Sequence, residues 1–159
     1  MIHANLIDAV AAECQNALKN LRLTTEYQRE PAEENFTEIN IFKQYLPADL
    51  FEETSYYPFV LVEWLSTTDG FKKEGSSAQV GLTIGTFAKE ADGYLDAFYI
   101  LDALRICLFS KTILNERFLL TDEATWEVPN SQPTPFFIVY GALTYQMHLP
   151  QDGFIRALL

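Results

Sequence analysis

The chain has 159 residues, 48% of them hydrophobic, and carries a formal charge of -11. A chain of this length holds one core, and its composition is that of a globular protein rather than a disordered one. The acidic balance argues against wrapping nucleic acid or lying on an anionic membrane, because either demands a basic patch.

Residues 2–21 read as an amphipathic helix. Ile2, Leu6, Val10, Cys14, Ala17, Leu18 and Leu21 fall on one stripe, with Asp8, Glu13, Asn16 and Lys19 away from it. The start "MIHANLIDAV" has no basic region or long apolar run, so no secretory signal is expected. No apolar run approaches the length of a membrane span, and the expected compartment is cytoplasm. "LRLTTEY" (21–27) suits a short first strand.

Residues 26–55 read as a long acidic loop or arm. Eight acids between 26 and 53 stand against Arg29 and Lys43. Loops this long are usually functional or disordered, and Ile41, Phe42, Tyr45 and Leu46 are apolar enough to be candidate arm contacts. "YYPFVLVEWL" (56–65) and "AQVGLTIGTF" (78–87) read as an antiparallel hairpin joined by the turn-rich stretch 66–77. In the first strand Val60, Val62 and Trp64 share a face, and Phe59, Leu61 and Leu65 share the other. The glycines of "GLTIG" lack a phosphate-loop ending and mark a bulge or the close approach of another backbone.

A second helix spans 92–109, with Asp92 as its N-cap. Ala97, Leu101, Leu104 and Leu108 form one ridge, yet Phe98, Tyr99, Ile106 and Phe109 carry the apolar character far around the axis. Such a helix is expected to be covered on several sides. Residues 117–128 and "PFFIVYGALTYQM" (135–147) read as two further strands around a proline-rich turn, and 150–159 as a short tail. The last strand is apolar on both faces, through Phe137, Val139 and Leu143 on one and Phe136, Ile138 and Tyr140 on the other.

The expected architecture is a single α+β domain over 1–159, with a mainly antiparallel four- to five-stranded sheet and two helices packed on one face. Helices on one face leave the other in need of a partner. Phe136, Ile138, Tyr140, Phe98, Tyr99, Asp102 and Arg105 are therefore the candidate oligomer interface. Asp102 and Arg105 otherwise read as a local ion pair.

Chemistry is scarce. Cys14 and Cys107 lie far apart without metal spacing and read as buried free thiols in a reducing compartment. His3 and His148 have no ligand-spaced companions, so no metal, cofactor or catalytic residue is expected. A Cys14/His3 or Cys107/His148 pair is the residual catalytic option.

"PFVLVEWL…AQVGLTIGTFAKEADGYLDAFYILDALRICL" followed by "ATWEVPNSQPTPFFIVYGALTYQMHLP" resembles the tail terminator, or tail completion, family of long-tailed bacteriophages (minor tail protein U-like). "IFKQYLPAD…YYPFVLVEW" also resembles tail proteins of phages and prophages of Gram-positive bacteria. The likeness covers roughly residues 39–150. It implies a ring, hexameric in that family, that caps the tail tube in the virion, ends its growth and meets the head connector protein. The implied partners are other copies of the chain, the tail tube protein, the connector, and DNA passing through the lumen without sequence-specific contact. An acidic wall suits such a passage. The alternatives are a head–tail joining or head-completion protein, a tail tube subunit, or a non-viral small-ligand-binding α+β domain.

Overall fold

A computed structural model describes residues 1–21, 23, 38–47, 54–70, 75–88, 93–131 and 135–147. Helix α1 spans Ile2–Leu18 and helix α2 spans Gly93–Ser110. Among the described residues six strands form one sheet: β1 (Asn40–Lys43), β2 (Phe59–Gly70), β3 (Gly75–Phe87), β4 (Ile113–Leu114), β5 (Phe118–Glu127) and β6 (Phe136–Met147). Their spatial order is β1-β2-β3-β6-β5-β4. The α+β class is as the sequence implies, but the sheet is wider and mixed. The added strands are β1, which pairs parallel to β2, and the two-residue β4 at the opposite edge.

β1 lies inside the segment read from sequence as an arm. Its alternation spans four residues, too few for periodicity to reveal, and what fixes it is tertiary. Ile39 and Ile41 turn toward the main core, while Phe42 and Leu46 turn to the opposite sheet face. Beyond β1, Gln44 continues the pairing with its side chain: Trp64 N–H donates to its Oε1 at 3.0 Å, and its Nε2 donates to the Trp64 carbonyl at 3.3 Å. An amide side chain thus stands in for backbone along part of an edge.

The main core lies between one sheet face and both helices. Leu6, Val10 and Cys14 of α1 and Ala97, Ile100, Leu104 and Leu108 of α2 meet Val60, Val62, Val80, Leu82, Ile84, Leu143 and Tyr145 of the sheet. The hairpin is longer than expected, running on through Ser66–Gly70 and Gly75–Ser77. A bulge between Trp64 and Ser66 resets the alternation, and an Asp69–Ser76 side-chain hydrogen bond closes the described end.

The sheet face away from the helices is largely covered by its own side chains. Gly85 sits opposite Phe59 in the ladder, and a Cβ on Gly85 would lie 2.3 Å from that ring. Phe59 thus lies down into the space the glycine leaves, where it is completely buried. Leu65 covers Gly81 in the same way. Tyr57, Leu61 and Ile138 complete this second cluster, with Phe42, Leu46, Phe87 and Phe136 around it. On the helix face, Gly141 does for Trp126 what Gly85 does for Phe59. The close approach expected of another backbone at these glycines is made instead by side chains, Leu65 at Gly81 and Phe59 at Gly85.

Candidate functional site

α2 buries one side and leaves the other open. Gly93, Asp96, Ala97, Ile100, Leu104 and Leu108 face inward. On the outer side Tyr94, Phe98, Tyr99 and Phe109 remain between 41% and 47% exposed, Leu95 37% and Ile106 73%. The sequence placed Phe98 and Tyr99 in a candidate contact between copies, on a helix to be covered on several sides; within the chain the fold covers one side and leaves these two open. The outer residues recur at three- and four-residue spacing, so they form a continuous stripe along the helix. Tyr94 and Phe98 pack edge to face at 5.6 Å, and Phe98 meets Phe137 at 5.9 Å, which fixes one end of the stripe to the sheet. Asp102 and Arg105 sit within it, 3.3 Å apart and each more than half exposed.

The other candidate residues are distributed differently. Ile138 is 2% exposed and belongs to the second cluster, and Phe136 packs against Tyr57 and Phe87 at 4.8 and 5.3 Å. Tyr140, at 43%, retains most outward surface of those three, and Leu65 is also half exposed on that face. Ile41, Phe42 and Leu46 pack within the chain, while Tyr45 is 80% exposed. The rest of the acidic arm, residues 26–37 and 48–53, lies outside the described residues, as do residues 22 and 24–27 of the expected first strand, Asp92, His148 and the 150–159 tail.

A cleft of about 480 Å³ opens between the first half of α1 and the β1–β2 edge, lined by His3, Ala4, Ile7, Asp8, Lys43, Gln44 and Trp64. Its polar groups are already engaged. Lys43 pairs with Asp8 at 2.7 Å, and the Trp64 indole N–H donates to Thr67 Oγ1, which also lies 2.9 Å from His3 Nε2.

A polar cluster at the seam of the two helices escaped the sequence reading. Glu13, placed there on the solvent side of its helix, is 8% exposed. The end of α2 lies alongside α1, and the Glu13 carboxylate accepts from Lys111 Nζ and the Cys107 thiol. Lys111 falls just past α2, so no periodicity links it to Glu13. Burial, then Cys107 and Glu13, pushes the Cys14 thiol from 9.0 up to about 12. Cys107 is also raised, by burial first and then by Glu13. Both are protonated thiols at neutral pH, the opposite of an activated nucleophile. Among the described residues no group of three or more His, Cys, Asp or Glu could hold a metal ion.

Tyr145 is completely buried beneath this seam, and its hydroxyl has no hydrogen-bond partner among the described residues. An unmet buried hydroxyl costs about 1–3 kcal/mol. Tyr145→Phe should therefore be neutral or stabilising by up to about 1 kcal/mol in urea denaturation, where a buried tyrosine would normally lose stability. A clear loss would mean the hydroxyl is satisfied.

Stability should also fall in alkali. The Cys14 thiol rises from 9.0 to about 12, and burial, with Tyr140 adding, lifts Tyr57 from 10.0 to about 12. The folded state holds these protons more tightly than the unfolded chain does. The stabilisation is complete below pH 9 and is lost as the pH climbs toward 12. Urea midpoints between pH 8 and 11 should decline, and Cys14→Ala should make the decline shallower, with Cys107 and Tyr57 left to carry the remainder. An unchanged decline in that variant would remove Cys14 from the account.

Among the described residues no helix is long and apolar enough to cross a membrane. No family model matches the chain, and no curated protein matches it. Among solved structures, a chain from the virion of a native gene transfer agent particle is similar to it at 11% identity and a TM-score of 0.45, with 88% of this chain and 95% of that one covered.

Proposed function

We propose that this chain is a structural subunit of a phage-like particle that assembles with copies of itself into a ring of the tail-terminator type, capping the tail tube, rather than an enzyme. The observation that carries the reading is the exposed apolar side of α2, where Tyr94, Leu95, Phe98, Tyr99, Ile106 and Phe109 stand in water. A patch of that kind marks a protein contact. A ring needs two different surfaces on each subunit, so that one copy's first patch meets its neighbour's second. The open side of α2 supplies one. Tyr140 and Leu65, on the far face of the sheet, supply apolar surface for the other. The sequence resemblance supports a position at the end of a tail, between tube and head connector, and the acidic balance of the chain suits a lumen that passes DNA.

Negative-stain electron microscopy with light-scattering mass measurement tests this, from micromolar to millimolar chain and with tail tubes added. Closed rings of about six copies, each of 18.2 kDa, are expected. Single copies or pairs under every one of these conditions would overturn the ring.

A further inference from the structure

The centre line of the α2 stripe reads Phe98, Asp102, Arg105, Phe109. At 3.6 residues per turn these four point within about 60° of one another on the open side, with Phe98 also touching Phe137 of the sheet. Their spacing is symmetric about a point between residues 103 and 104, and inversion through that point exchanges phenylalanine with phenylalanine and the acid with the base. A stripe of this kind is complementary to itself when two helices run antiparallel.

We propose that the free chain pairs with a second copy through α2, antiparallel about a twofold axis. Asp102 then faces the partner's Arg105, Phe98 faces the partner's Phe109, and each contact occurs twice. The inference rests on the reading of α2's open side as a contact between copies. Two observations choose a second copy as the occupant. The first is charge: Asp102 and Arg105 satisfy each other within the chain only through one 3.3 Å contact and remain more than half exposed. Across the axis each gains an opposite charge, flanked by aromatic rings that exclude water. The second is area. The exposed side chains of the stripe amount to roughly 500 Å² per subunit at about 200 Å² for a whole aromatic ring. Two copies therefore bury on the order of 1,000 Å², the threshold for a specific contact, so the pair is concentration-dependent.

A twofold contact closes on itself and cannot propagate around a ring. The pair is thus a storage form that hides the surface a ring would use, and a subunit must leave it to join an assembly.

The test uses charge reversal and cross-linking on the full chain. Asp102→Arg and Arg105→Asp should each be monomeric at concentrations where the unaltered chain pairs, because both charge contacts become repulsive. Mixed in equal amounts they should pair again, with affinity at least tenfold above either alone. Failure of the mixture to recover, or undiminished pairing of the single variants, would overturn the proposal. Attraction between the mixed variants in another orientation is separated by Phe98→Cys and Phe109→Cys, each with Cys107→Ser, under mild oxidation. Cross-linking of the mixture without cross-linking of either alone is expected. A disulfide that forms as readily between two copies of the Phe98→Cys variant would overturn the antiparallel register while leaving α2 as a contact between copies. A chain monomeric at every concentration would sink both.

Discussion

Gly85→Ala should cost about 2–3 kcal/mol of stability, a large penalty for one methyl group on a strand where alanine is ordinarily no worse than glycine. The added Cβ would fall 2.3 Å from Phe59 Cε1 and 2.5 Å from Cζ. The ring is completely buried. Either the ring or the β2–β3 pairing must shift. Phe59→Ala should cost more still, about 3–5 kcal/mol, because it removes a large side chain and leaves a void over the glycine. The two positions share one space, so Phe59→Leu should recover part of the Gly85→Ala loss, a coupling of about 0.5–3 kcal/mol. Gly141→Ala is the natural control. Its Cβ would meet the Trp126 ring at the same 2.3 Å, but that indole is only partly buried at the sheet margin and can swing outward. A cost nearer about 1 kcal/mol is expected there. Equal stability of Gly85→Ala and the unaltered chain in urea denaturation would mean that Phe59 does not lie over the glycine.

The same pair of residues shows how far the sequence could be read. Alternation in "FVLVEWL" separated the two faces of β2, because a period of two is a local property. That Phe59 would be buried on the face away from the helices was not legible. It depends on a glycine 26 residues later standing directly opposite in the ladder. Glu13 failed for a related reason: its place on the helix wheel is polar, and only the docking of α2 turns that flank into a seam. The short strands β1 and β4 are set by their neighbours, and four or two residues cannot carry a period. For α2 the apolar surround was legible; which side the chain itself would cover was not. An apolar surround implied cover on several sides, whereas one side faces the core and the other faces water. The candidate residues Phe98, Tyr99, Asp102 and Arg105 all lie on that open side, and Ile138 lies inside the chain's own second cluster.

Two residues of α2, only two positions apart, should therefore respond in opposite ways. Leu104 is completely buried against the sheet, and Ile106 is 73% exposed. Leu104→Ala removes a side chain from the centre of the packed face and should cost about 2–5 kcal/mol. In a chain of 159 residues that corresponds to a fall in melting temperature of roughly 5–15 °C. Ile106→Glu should leave the monomer within about 0.5 kcal/mol, since glutamate is a good helix former and little packing is lost. The same change places a charge on the open stripe, where burial against any partner would strip its hydration. Self-association should weaken tenfold or more, read as a shift of the light-scattering mass curve to higher concentration. Hydrophobicity does not separate the two sites, since both are large aliphatics on one helix. What separates them is whether the apolar surface is met within the chain or waits for another copy. If Ile106→Glu leaves association unchanged, the open side of α2 is not where copies meet; if it unfolds the chain, that side is not open.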